Sequence, residues 1–551
     1  MNQLINNWVY GEVSPKLGGR FDLDLYWQGC ETLQNFRNML QGGITRRPPL
    51  KHVANTVASR LIPFTISSGE SYIIELSHKK LRIWYNVAGV LTLATFQPSN
   101  NDYLPTNYNQ SEIWEVQFAQ YYDRVYFAHR NHKQSVLKYS AVAFSFQPMI
   151  VSTDEGNDFG KSDNNYPAVV GICQNRLWFA SSNANPYTMW VSRPPYDGAN
   201  NHGDFTTFDE VLVTTEVLKD PEDWPYIKND KGDDIIDFSD ASKFLEDVDD
   251  KEEVINAKCA MEIELASGRN DTIRWISGMQ NIIIGTDTNE WVAPFNIDPT
   301  RQSASMQSAY GSVNLQAERL HDGVFFITKG NRLCEFSTTD EGASALDLSF
   351  SADHILKPGV RQLVSLKYPD TTIICVLNDG TLAVLSYDKR YGMQGWSKWV
   401  TDGEFISVST LEIDGIQNLY AVVKRGGEYY LERFDFDEQE HFIDRYNEPE
   451  NGNLSYMSLM VANRFDYNGD NGASLGKSKK ASEVWVRCIN SGRMSTGVDE
   501  RYMQDTLKPV GSEDYRIPIS GGPKKELKIR IASKGSDPLT LLAMSYEVEV
   551  S

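Results

Sequence analysis

Short runs of apolar and β-branched residues, broken at regular intervals by polar turns, recur almost without pause from residue 61 to residue 450. Tyr72-Ile73-Ile74-Glu75-Leu76, Leu81-Arg82-Ile83-Trp84-Tyr85, Arg124-Val125-Tyr126-Phe127-Ala128 and Arg176-Leu177-Trp178-Phe179-Ala180 are typical. Runs of this length and type predict strands. Asn378-Asp379-Gly380 separates Ile373–Leu377 from Thr381–Leu385 and predicts a tight antiparallel turn. The strands group into units near 61–97, 112–146, 166–208, 258–296, 320–352 and 360–450, the last long enough for two. A small four-stranded sheet buries its faces only against the next one, so the prediction is a mainly β chain forming an irregular β-propeller of about six blades. A pair of β-sandwich domains would produce similar strands and is the alternative fold.

The first 60 residues follow another rhythm. Leu23, Tyr26, Cys30, Leu33, Phe36 and Leu40 recur at three- and four-residue steps, which predicts an amphipathic helix of roughly four to five turns. Pro15 and Gly18-Gly19 would precede it and Gly42-Gly43 would end it. Arg46-Arg47-Pro48-Pro49 then reads as an extended, charged arm. Packing of this helix on its own domain and packing on a neighbouring subunit are both open at this level. The expected organisation is a helical docking segment over 1–60, a propeller-like domain over 61–450 with an acidic insertion at 209–257, and a β-rich module over 451–551. Its boundary is expected near the turn-rich Pro449-Glu450-Asn451-Gly452-Asn453.

Charge narrows the function classes. The net charge of -21 argues against general binding to a phosphate backbone. Much of it is local, since Asp209 to Glu253 holds 17 acidic residues against 5 lysines and no arginine. Asp233, Asp234, Asp237, Asp247, Asp249 and Asp250 mark this stretch as a solvated loop or as an acidic wall past which DNA slides. Aromatic content of 11% supplies a large core. The six cysteines are scattered singly and predict reduced, buried thiols. No run approaches the roughly 18 apolar residues of a membrane span, and no secretory leader is evident, so assembly in a cytosol is expected.

Chemistry is sparse. The phosphate loop, the His-Glu-x-x-His pair and the nucleophile elbow are all missing from the sequence. Asp466-Tyr467-Asn468-Gly469-Asp470 resembles the start of a calcium loop, but Asn471 and Lys477 stand where Gly and Glu belong, so an Asx-rich turn is expected. His129 and His132 are spaced for a metal, yet no third ligand is apparent. Trp396-Ser397-Lys398-Trp399 is read as core, and Lys477, Lys479 and Lys480 as a basic loop cluster. No catalytic residue, metal or cofactor is expected.

One resemblance gives these features a common meaning. Gly11-Glu12-Val13-Ser14-Pro15, Arg20-Phe21-Asp22, Tyr26, Gly29, Asn35 and Gly42-Gly43-Ile44-Thr45-Arg46-Arg47-Pro48 resemble the N-terminal pattern of tail nozzle proteins of short-tailed bacteriophages, the tail tubular protein B family. Further pieces follow in the family's order: Arg176-Leu177-Trp178-Phe179, Pro186 with Trp190 and Ser192, Gly203-Asp204-Phe205, Gln307 to Ser312 and Asp347 to Ile355. Pro49 departs from the Gly often found there. The acidic stretch is also longer than the family's connection.

The resemblance implies a structural virion protein and no enzyme. It would be one subunit of a ring, a homohexamer, at the distal end of the tail, assembled in the host cytoplasm. The ring would form a negatively charged channel for genome ejection and a platform for tail fibres or spikes. It would contact a tail adaptor ring above and the host envelope at its tip, while DNA passes without specific binding. Glu12, Pro15, Arg20, Asp22, Tyr26, Asn35, Arg46 and Arg47 are the candidate assembly interface. A virion-associated carbohydrate-binding or depolymerase propeller is the alternative.

Overall fold

A computed structural model describes residues 2–96, 100–140, 143–163, 165–195, 202–207, 209–218, 226–228, 234–236, 245–255, 259–265, 268, 271–278, 281–293, 304–339, 342–438, 440–445, 454–469, 472–506 and 510–551. Seven antiparallel units of four strands follow one another among them, the first carrying a short fifth strand and the sixth continuing into a larger sheet, and together they form a β-propeller. Blades 1 to 6 occupy residues 60–93, 117–148, 169–191 with 261–264, 273–308, 318–347 and 360–399. Blade 7 takes three strands from residues 404–434 and its outermost strand, Leu50–Thr56, from the N-terminal part of the chain. The unit expected at 360–450 is therefore two blades, and the count is seven because residues 50–56 complete the second of them.

Separate apolar cores lie between successive blades, as the blade argument requires. Leu50, Trp399, Phe405 and Phe434 pack between blades 6 and 7. Leu61, Trp84, Leu411 and Leu431 pack between blades 7 and 1 and close the ring. Trp396 and Trp399 are fully buried, as expected for core tryptophans. At the centre, side chains on or just before the innermost strands bridge the blades, some of them across blades that are not neighbours. Gln316, just before blade 5, donates from Nε2 to Phe118 O at 2.8 Å and accepts from Phe118 N at 3.1 Å, on blade 2. Gln362 of blade 6 donates to Leu61 O of blade 1 at 3.1 Å and to Val408 O of blade 7 at 2.8 Å.

The remainder is a two-sheet sandwich assembled from both ends of the sequence. Asn2–Ile5 and Ile44–Arg46 pair with Thr540–Val550, which also pairs with Lys479–Ile489. Gly29–Gln34 pairs with Ser458–Ala462. One core holds Trp8, Leu33, Phe36, Val484, Ile531 and Tyr546. Through Gly11–Glu12 and Gly29–Gln34 the second sheet continues into the outer strand of blade 6, Met393–Trp399.

Three expectations for the N-terminal segment are corrected. The only α-helix there is the single turn Asp24–Trp27, and the rest of the expected helix is the strands Gly29–Gln34 and Phe36–Asn38. A bulge between Cys30 and Thr32 stretches the strand's two-residue period to three, and Asn35, with φ 55°, resets it again before Phe36. Helix-like spacing thus arises from an interrupted strand. Arg46 and Arg47 likewise form no surface arm, since they are 1% and 0% exposed. Nor are residues 1–60 a unit of their own, being shared between the sandwich and blade 7.

The six cysteines are buried free thiols, as expected. Lys479 is no loop cation: it is fully buried and its Nζ donates to Asp466 Oδ1 at 2.7 Å. Pro449 to Asn453, the expected boundary, lies outside the described residues, as do Asp470 and Asn471 of the calcium-like stretch.

Candidate functional site

The polypeptide passes from sandwich to propeller at residues 46–50 and is back in the sandwich by Ser458, and of the candidate interface residues Asn35, Arg46 and Arg47 gather around these crossings. Arg47 lies at their centre. Its Nη1 and Nη2 donate to Asp444 Oδ1 and Oδ2 at 2.9 and 2.6 Å, its Nε donates to Asn35 Oδ1 at 3.0 Å, and Nη2 also reaches Val400 O at 3.0 Å. Asp444 further accepts from Thr401 Oγ1 at 2.6 Å and from Leu50 N at 3.2 Å. The guanidinium carbon sits 3.7 Å from the centre of the Tyr456 ring, whose hydroxyl donates back to Arg47 O at 2.7 Å.

Arg46 is held differently, by neutral acceptors. It donates to Ser458 Oγ at 3.0 Å, Gly535 O at 2.9 Å and Asp537 O at 2.6 Å, and it also stacks over Tyr456 at 4.6 Å. Burial pushes its pKa below the ordinary arginine value. Burial acts downward on Arg47 as well, but Asp444 and Tyr456 beside it carry that guanidinium above its ordinary value. The planar fork explains why arginine rather than lysine serves here: five fixed donors meet several carbonyls and a carboxylate together.

Asn35 completes the crossing. Its left-handed backbone turns the chain so that its side chain donates to Met457 O at 2.8 Å and accepts from Val400 N at 2.7 Å. Glu12, 7% exposed, accepts from Leu33 N at 2.7 Å and lies 2.8 Å from His354 Nε2, tying the sandwich to the loop after blade 5. Gly11, at φ +59°, passes so close to blade 6 that a Cβ would stand 2.1 Å from Trp396 O. Tyr26 is buried, donates to Arg464 O at 2.7 Å and is pushed up to about 12 by burial.

The eight candidates therefore separate. Glu12, Asn35 and Arg47 fasten the sandwich to the propeller, while Tyr26 and Arg46 are buried on the sandwich side of the crossing. Pro15 and the Arg20–Asp22 pair, 2.8 Å apart and more than half exposed, stay on the surface, where a neighbour can meet them.

The acidic insertion leaves blade 3 between its third and outer strands. Asp209–Leu218 and Leu245–Val254 form a two-stranded antiparallel ribbon, ten residues on each side, that joins no other sheet among the described residues. Its sequence holds nine carboxylate residues and one lysine. Asp247, Asp249 and Asp250 lie on it opposite Glu216, Thr214 and Val213, and Asp234 lies on a second short pair opposite Lys228. Asp233 and Asp237 lie outside the described residues.

Sequence reading missed Asp444 and Tyr456, which no local pattern marks, and Glu112, which the fold brings to His129 and His132. No helix among the described residues is long and apolar enough to cross a membrane.

Comparison with protein-family models and with curated proteins returns no match. Solved structures similar to this chain include WD40 domains. U3-55K matches at 7% identity and TM-score 0.37, covering 70% of this chain and 98% of that one. The RRP9 WD40 repeats match at 7% and 0.38, covering 71% and 100%. The Neurospora crassa Pan2 WD40 domain matches at 10% and 0.35, covering 71% and 91%.

Proposed function

We propose that this protein is a structural subunit of the ring-shaped nozzle at the distal end of a short phage tail, acting through its contacts rather than through bond chemistry. The sequence resemblance motivates this reading, and the observation that carries it furthest is the acidic ribbon on blade 3. Ten residues per strand span roughly 34 Å. A lone two-stranded ribbon is marginal in water, so one that pairs with no third strand among the described residues is suited to lie against another copy.

The centre of the propeller, crossed by the Gln316–Phe118 and Gln362–Leu61 bonds, leaves no passage for a duplex whose major groove alone is about 12 Å wide. In this reading the DNA channel is the space enclosed by several subunits. Carboxylates of the ribbon, at its wall, repel phosphates and keep the genome from sticking. The double crossing at Arg47 and Asp444 supports the same role, because a subunit under ejection pressure gains from two domains that do not separate.

Purified protein, alone and mixed with its adaptor, is expected to form closed rings in electron micrographs. Replacing residues 209–254 by a short Gly/Ser linker is expected to leave the β spectrum and melting temperature unchanged while abolishing ring closure. Wild-type protein that stays monomeric beside its adaptor overturns the proposal, and rings formed by the shortened protein remove the ribbon from it.

A further inference from the structure

Outside the domain crossing, one cluster of side chains has the composition and spacing of a cation site. Blade 2 has a two-residue turn, Arg130-Asn131, that sets His129 directly opposite His132 in the antiparallel register. Paired residues beside so tight a turn project to the same side of the hairpin. Glu112 arrives from the segment that leads into blade 2, and its Oε2 accepts from Asn109 N at 2.9 Å and faces His132 Nε2 at 2.8 Å. One ligand-type atom from each of the three residues lies within 4.8 Å of the others.

Three features separate this cluster from a surface coincidence. His129 is only 2% exposed, yet its Nε2 has no hydrogen-bond partner. Leaving such a group dry and unpaired is unfavourable, and a ligand would offset that cost. Tyr108 packs edge-on against both imidazoles, at 6.0 and 5.3 Å between ring centres, and fixes their orientation. Finally, the Glu112 and His132 side chains keep 19% exposure each, so the cluster is walled on one side and open to water on the other.

We propose that Glu112, His129 and His132 bind one divalent transition-metal ion, with zinc the best match, and that water completes its coordination. Two imidazole nitrogens and one carboxylate oxygen are a recognised three-ligand set for zinc, with bonds of about 2.0–2.2 Å. Tetrahedral bonds of that length place ligand atoms about 3.3 Å apart. Loading therefore asks His132 and Glu112 to open slightly from 2.8 Å and the third ligand to close in. His129 Nδ1 now accepts from Asn131 N over 3.2 Å, which keeps the ring proton on Nε2. Binding through Nε2 moves that proton to Nδ1 and gives up this long bond; on His132 the Nε2 proton that faces Glu112 moves to Nδ1 in the same way, so each neutral ring frees its Nε2 lone pair for the ion and the Glu112 carboxylate turns from that proton to the ion. The site's net charge becomes +1, from one carboxylate and one dication.

Such an ion would do mechanical work. The segment ahead of blade 2 is otherwise tied down by Arg60, which donates to the carbonyls of Ile113, Trp114 and Val116. An ion at Glu112 rivets the same segment to the hairpin tip of blade 2 from the other end. This inference is independent of the nozzle reading and stands or falls without it.

The test uses untagged full-length protein freed of metal by chelator and titrated with zinc and with cobalt. Wild type is expected to bind one equivalent, with cobalt giving the intense visible bands of low-coordinate geometry and zinc raising the melting temperature. His129→Gln, His132→Gln and Glu112→Gln are each expected to weaken zinc binding at least tenfold while keeping the β spectrum, and the double histidine variant is expected to lose it. X-ray absorption on zinc-loaded wild type keeps the proposal falsifiable if a variant misfolds, since two imidazoles with the balance oxygen is the expected shell. Absence of stoichiometric binding, undiminished binding in the double variant, or a shell without two imidazoles overturns it.

Discussion

Removing the carboxylate at the domain crossing by Asp444→Ala should be among the most damaging single changes available in this chain. Asp444 is 1% exposed and Arg47 0%. Truncating one partner of a buried ion pair leaves the other charge stranded, at a cost of about 3–5 kcal/mol. Thr401 Oγ1 and Leu50 N lose their acceptor too, each worth about 1 kcal/mol, and contributions so close together do not simply add. A loss of about 4–5 kcal/mol is expected.

Because propeller and sandwich need not unfold together, the assay is native-state hydrogen exchange, read at the amides of 44–50 and 456–462 against those of blades 2 to 4. Asp444→Ala should lower the opening free energy at the crossing while the distant blades hold theirs. Arg47→Met combined with Asp444→Leu removes both charges and should recover much of the loss, since a buried pair replaced by apolar groups is often neutral. An Asp444→Ala cost below about 1 kcal/mol, or a double variant no better than the single one, would falsify the view that the crossing is held electrostatically.

Gly11→Ala puts a Cβ about 2 Å from Trp396 O in a left-handed backbone, so a loss of about 3 kcal/mol or more is expected in urea unfolding; a change within about 0.5 kcal/mol would contradict the close approach. His202 is buried, 2.8 Å from the Tyr126 hydroxyl and 3.0 Å from Asn175 O, and burial lowers its pKa. The folded state therefore binds fewer protons than the unfolded one just below pH 6.5, so stability is full above that value and falls as pH drops from 7 towards 5. His202→Gln should flatten that part of the stability–pH curve, and an unchanged slope would remove His202 as its cause.

Much of the fold was legible because blades are local. Hairpins such as Thr372–Leu377 with Leu382–Asp388 pair residues close in sequence, and their turn residues name them, Gly380 taking the expected positive φ of 79°. What escaped was non-local. Leu50–Thr56 closes blade 7 against Glu428–Phe434, nearly four hundred residues away in sequence, and no pattern within either segment announces the other.

The N-terminal misreading has the same root, since a bulge and one left-handed asparagine imitated a helical period. At the candidate site, the sequence marks Arg46 and Arg47 but reads them as a surface arm, whereas both are buried. An arginine's burial depends on partners such as Asp444 and Tyr456 that only the fold supplies.

The shared construction of the sandwich also sets the order in which the molecule can be made. Asn2–Ile5 and Ile44–Arg46 await Thr540–Val550, and Leu50–Thr56 awaits Glu428–Phe434, so these strands are made well before the strands they pair with. Blades 1 to 6 can condense one after another during synthesis, while those first strands wait with open edges prone to mispairing. Ring closure, sandwich formation and burial of the two arginines then depend on the same late segments, so the propeller's last blade and the sandwich are completed together rather than one after the other.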